Sequence, residues 1–129
     1  MAINSWREIP DDFLIVSGLT HPDCFTPKQI TEFLRQIAEV ADMIPVGDSI
    51  IKESNVPLPD GTMDHGFCGI QFWTTSGCTV YTWDIGKITI VVHSCKDIDY
   101  EKVKKFIIKF WYLGDRESFQ IKLPKLVLE

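Results

Sequence analysis

The sequence predicts an α+β fold, a two-layer sandwich with two helices on one face of a mostly antiparallel sheet. Three observations predict it. Residues 65–95 read as consecutive β-type runs separated by Thr75-Ser76-Gly77 and Ile85-Gly86. On either side of that block a segment carries apolar residues at helical spacing. Short strand-like runs stand near both ends of the chain, at Asp12–Leu19 and at 118–123. The element order is read as β-α-β-β-β-α-β.

Asp12–Leu19 is apolar and bounded by polar residues, which predicts a buried first strand. Thr26 can cap a helix, Pro27 suits its first position, and Gln29 completes a capping box. Ile30, Phe33, Leu34, Ile37, Val40, Ala41 and Ile44 then form one stripe, and Pro45 ends the helix. Residues 46–53 predict a second strand. Residues 55–64 hold Pro57, Pro59 and Gly61 and predict a long loop. Strands follow at 66–75, 78–83 and 87–95, the last two joined by a two-residue turn at Ile85-Gly86. Asp97 or Asp99 caps a second helix running to about Leu113. Its stripe is Val103, Phe106, Ile107 and Phe110, with Gly114 as C-cap. Lys102, Lys104, Lys105 and Lys109 are assigned to solvent.

A chain of 129 residues fits one domain, taken as 1–129. With 45% hydrophobic and 24% charged residues, a packed core is expected rather than disorder. A net charge of −5 without a basic stripe speaks against nucleic-acid binding. No apolar run approaches the length of a membrane span, and the first residues lack a signal-peptide pattern, so a cytoplasmic protein is expected. Cys24, Cys68, Cys78 and Cys95 form no Cys-x-x-Cys pair and are read as reduced.

A two-residue turn at Ile85-Gly86 makes positions summing to 171 face each other. Cys78 then meets His93, and Ser76 meets Cys95 on the same face. Three readings of that face stand open. One is an ordinary sheet face with small thiols and a hydrogen-bonded histidine. A second is a metal site of Cys78, His93 and Cys95, which lacks an evident fourth ligand and matches no zinc spacing. The third places Cys95 as an acid beside Ser76; against it, Ser-Gly is a common turn pair.

The block resembles the prokaryotic-type, pyruvoyl-dependent S-adenosylmethionine decarboxylases. That family carries Gly-x-Ser-Gly, a short apolar strand and Glu-Ser-His. It continues with His-Thr-(Trp or Tyr)-Pro-Glu and a strand ending in Thr-Cys. Here the matching stretches are Gly66-Phe67-Cys68-Gly69, Ile70 to Thr74, Thr75-Ser76-Gly77, Tyr81-Thr82-Trp83-Asp84 and Ser94-Cys95. The resemblance implies that Ser76 is the precursor of a pyruvoyl cofactor, formed by autocatalytic cleavage before it, and that Cys95 is the proton donor. It implies that Asp84 holds ribose hydroxyls and that Cys68 stands where a serine assists processing. The implied activity is a carboxy-lyase of spermidine biosynthesis, acting on S-adenosylmethionine as a homodimer that pairs its sheets. The aromatic residues Phe67, Phe72, Trp73, Tyr81 and Trp83 add to the expectation of a second buried surface.

The departures fall on the processing machinery. The glutamate before the cleavage serine is Thr75, and the histidine after it is Gly77. The processing histidine is Tyr81, whose phenol, with an ordinary pKa of about 10, is a poor base at neutral pH but can stack on an adenine. His93 is the remaining candidate base, provided it reaches Ser76. Without processing, no cofactor is expected. Three functions therefore stand: a working decarboxylase, a non-cleaving relative that binds a nucleoside-type ligand or regulates an active paralogue, and an unrelated small α+β binding domain.

Overall fold

In a computed structural model, which describes residues 11–123, the apolar patterns become a six-stranded antiparallel sheet with two helices packed on one face. Residues 1–10 and 124–129 of the expected domain lie outside the described residues. The elements are β1 Asp12–Leu19, α1 Pro27–Val40, β2 Pro45–Pro57, β3 Met63–Trp73, β4 Ser76–Trp83, β5 Lys87–Ser94, α2 Tyr100–Trp111 and β6 Arg116–Lys122. Four strands separate the helices, corresponding to the four runs read at 46–53, 66–75, 78–83 and 87–95, where the order β-α-β-β-β-α-β counts three. The spatial order is β2-β3-β4-β5-β1-β6.

The extra length comes from residues expected to form a loop. β2 continues to Pro57 and pairs with β3 as far as Met63. Pro57 is tolerated because β2 is an edge strand, where a missing N–H need not break a ladder. Only the turn at 58–62 remains, closed by Gly61 at φ +87°.

α1 begins at the expected cap, where Thr26 Oγ1 accepts from the Gln29 N–H at 3.2 Å with Pro27 in the first turn, but the Thr26 N–H donates to the Cys24 carbonyl and not to the Gln29 side chain, so the box is half formed. It buries Ile30, Phe33, Leu34, Ile37 and Ala38. The helix stops at Val40 because Asp42 turns left-handed at φ +54°. Ile44 therefore leaves the stripe and is exposed. α1 comes close to the sheet at Gly69, where an added Cβ would lie 2.8 Å from Ile30 Cγ2. Asp99 caps α2 by accepting from the Lys102 N–H at 3.1 Å. The cap at the other end is Tyr112, left-handed at φ +52°, and not Gly114. Trp111 joins Val103 and Ile107 in the core, while Phe106 and Phe110 pack at its margin.

The helix-side face carries Leu14, Val16, Cys78, Val80, Ile88, Ile90 and Val92, all buried. Among the described residues no helix lies over the alternate face. One cross-strand row there runs Ile50, Ile70, Thr79, Val91, Ile15 and Phe119. The five aromatics split: Phe67 and Trp73 are buried, Phe72 and Tyr81 are exposed, and Trp83 is half-buried under the Lys87 ammonium. No helix among the described residues is long and apolar enough to cross a membrane.

Candidate functional site

The β4–β5 register decides which side chains meet. Trp83 pairs with Lys87, Val80 with Ile90 and Gly77 with His93. Pairs sum to 170, one less than a two-residue turn requires. The connection is the three-residue loop Asp84-Ile85-Gly86, with Gly86 at φ +104° and its N–H donated to the Trp83 carbonyl at 2.8 Å. A one-residue change flips a whole strand face relative to its partner. Cys78 consequently lies under the helices, fully buried, while His93 belongs to the alternate face. The expected face of Cys78, His93 and Cys95 does not form, and the metal reading built on it is withdrawn. Burial pushes the Cys78 thiol well above its ordinary pKa, so it stays protonated.

Ser76 and Cys95 nevertheless meet. β5 ends at Ser94, and the next N–H, that of Cys95, donates to Ser76 Oγ at 3.0 Å. The link between β3 and β4 is the pair Thr74-Thr75, so Ser76 is the first residue of β4 rather than the corner itself. Thr75 sits at φ +54°, a left-handed conformation that a β-branched residue adopts only under strain. Its Oγ1 lies 2.9 Å from Cys95 Sγ. Hydrogen bonds from Ser76 and then Thr75 hold the Cys95 thiol below its ordinary pKa, opposed by partial burial. Thr75 and Cys95 face a cleft of about 370 Å³ that Ile44 and Lys96 also line.

The other residues singled out from the sequence lie elsewhere. Tyr81 pairs with Cys68 on the alternate face, and both are exposed. Tyr81 is five positions along β4 from Ser76, about 16 Å at the rise of a strand. Asp84 follows the far end of β4, about 26 Å from Ser76 by the same measure. His93 is engaged apart from both. Its Nε2 lies 2.8 Å from Asp11 Oδ1, and its ring stacks on Phe13 with centroids 4.6 Å apart.

His65 was not singled out from the sequence. Its Nδ1 lies 3.0 Å from Asp84 Oδ2 and its Nε2 3.4 Å from Glu53 Oε2. The Asp84 hydrogen bond raises its pKa above the ordinary histidine value; partial burial opposes this, and Glu53 adds to it. A cleft of about 450 Å³ opens beside this cluster, with Phe25, Phe67 and Asp23 in its walls. No local spacing marks His65, because its partners stand 12 and 19 residues away. Among the described residues no group of three or more His, Cys, Asp or Glu is arranged to hold a metal ion.

The fold is that of the adenosylmethionine decarboxylase of Aquifex aeolicus VF5. Its crystal structure superposes with a TM-score of 0.72 over 94% of each chain at 15% sequence identity. No family model matches the sequence, and no curated protein matches it.

Proposed function

We propose that this chain is an adenosylmethionine decarboxylase-like protein of polyamine metabolism that stays uncleaved and binds S-adenosylmethionine or a similar nucleoside as a homodimer. The observation that carries the reading is the company Ser76 keeps. Its hydroxyl accepts the Cys95 N–H, and its other close neighbours are a thiol and the Thr75 hydroxyl. Among the described residues no carboxylate or imidazole hydrogen-bonds to it. The left-handed backbone at Thr75 costs about 1–3 kcal/mol next to the bond before Ser76. That contribution does not replace a base for removing the α-proton of an ester intermediate. The residues around Ser76 thus do not fit the making of a pyruvoyl group, and no step is derived through one.

The homodimer has its own support. Val46, Ile50, Phe72, Phe119 and Ile121 are exposed on the face that no helix covers. Exposed apolar side chains on a sheet face fit an interaction site. Within one chain Tyr81 and Asp84 are too far from Ser76 to share a nucleoside with it.

Intact-mass measurement after days at neutral pH tests the reading. One species near 14.8 kDa is expected. Two fragments divided before Ser76, the second with a pyruvoyl terminus, overturn it in favour of a working decarboxylase. Light scattering tests the dimer: Phe119→Glu is expected to yield monomers, and a monomeric wild type at all concentrations rejects it.

A further inference from the structure

His65 makes contacts that the chemistry above does not use. Carboxylates only accept hydrogen bonds, and this ring has one at each nitrogen, Asp84 at 3.0 Å and Glu53 at 3.4 Å. A neutral imidazole has one N–H, so in either tautomer a lone pair faces a carboxylate oxygen. Only the imidazolium donates to both. The three groups come from different elements: Glu53 from β2, His65 from β3 and Asp84 from the β4–β5 loop. Phe67 holds the ring edge-on, with centroids 4.9 Å apart at 85°. The other charged group lining the cleft is Asp23, from the turn before α1. Among the described residues no lysine or arginine pairs with the cluster, and the charged groups facing His65 or its cleft are the carboxylates of Asp84, Glu53 and Asp23.

We propose that His65 is a proton-operated clamp: as imidazolium it ties the β4–β5 loop and edge strand β2 together through Asp84 and Glu53, and on losing its proton it keeps a single N–H, breaks that tie and holds Asp84 at most by a neutral hydrogen bond, which frees the carboxylate for a vicinal diol in the adjacent cleft. The release half rests on the reading of Asp84 as a ribose contact; the clamp half stands without it. His65 is a positioning residue here, since it acts through Asp84. Its pKa is raised in the folded protein, chiefly by Asp84. The clamp's stabilisation is therefore complete below the unfolded value, about 6.5, and is lost as pH rises through the folded value.

Imidazole and amide NMR on the full chain tests the clamp from pH 5 to 9. His65 is expected to titrate above about 6.5, and the amides of Ile85 and Gly86 to titrate with it. Asp84→Asn should lower the His65 midpoint by about one pH unit, and Glu53→Gln by less. In His65→Gln the loop amides should stop titrating while the α2 and β5 amides stay in place, which separates clamp loss from unfolding. A midpoint at or below about 6.5 that ignores Asp84→Asn, or loop amides indifferent to His65, overturns the clamp. Adenosine, as the diol probe, should bind about tenfold tighter above the His65 midpoint than below it, and with little pH dependence in His65→Gln. Adenosine binding that is pH-independent in the wild type overturns release while leaving the nucleoside reading intact. Failure to bind at any pH, with the loop titration intact, overturns release and the nucleoside reading together and leaves the clamp standing.

Discussion

The two ends of β4 present opposite chemistry. At its start, Thr75, Ser76 and Cys95 form a cluster of two hydroxyls and a thiol without a base. Just past its end, His65 stands between Asp84 and Glu53, an acid–base pair without a nucleophile. Each end lacks what the other has, and about 26 Å of strand separates them. The difference teaches that, among the described residues, neither end by itself brings a nucleophile and a base together. A centre that uses both ends has to be assembled from two copies or abandoned.

The largest effect is expected from supplying the missing groups. Thr75→Glu with Tyr81→His should convert an uncleaved chain into one that breaks, at least partly, before Ser76. Residue 81 is about 16 Å from Ser76 in its own chain, so on the dimer proposal the histidine acts on a second copy. Cleavage should therefore accelerate with protein concentration, as followed by intact mass. Cleavage indifferent to concentration would show that one chain suffices and dissolve the contrast between the ends. Adding Cys95→Ser should leave the cleavage largely intact.

A stability test comes next. A Cβ on Gly66, near the carboxylate end, would lie 1.9 Å from the Thr82 carbonyl oxygen, whereas one on Gly77, beside Ser76, would lie 3.1 Å from that of Gln71. Gly66→Ala should cost about 3 kcal/mol or more, and Gly77→Ala about 1 kcal/mol. Urea melts read both, and equal costs would mean that the β3–β4 contact is equally adaptable at its two ends.

Thiol alkylation probes the hydroxyl end alone. Cys95 should react faster than buried Cys78, with a rate midpoint below the ordinary thiol value of about 8.5. Its lowered pKa stabilises the fold above the unfolded value, and that contribution is lost as pH falls through the folded value. Ser76→Ala should move the midpoint up. An unchanged midpoint would show that the hydroxyl does not stabilise the thiolate.

The smallest effect is expected at Thr75. Asparagine tolerates the left-handed region better than a β-branched residue does, so Thr75→Asn should raise stability by about 1 kcal/mol in the same melts. A loss instead would mean that the Thr75–Cys95 contact outweighs the strain.

The sequence by itself determined the layers. Apolar spacing in α1 and α2, the Thr26 and Asp99 caps and the alternation of the strands are local signals, and each was legible as such. The Ser76–Cys95 contact was expected from a register that the structure replaces; it survives because, after a one-residue slip, the first N–H past the end of β5 still reaches Ser76 Oγ. Tertiary structure alone decided the rest. Whether Asp84 belongs to a strand or a loop depends on one residue of turn length, and that choice moved Cys78 from a site to the core. The extent of β2 depended on its place at the sheet edge, where a proline costs no ladder bond. His65 gained its two carboxylates only when three distant segments converged, and no local pattern encodes a contact made across the sheet.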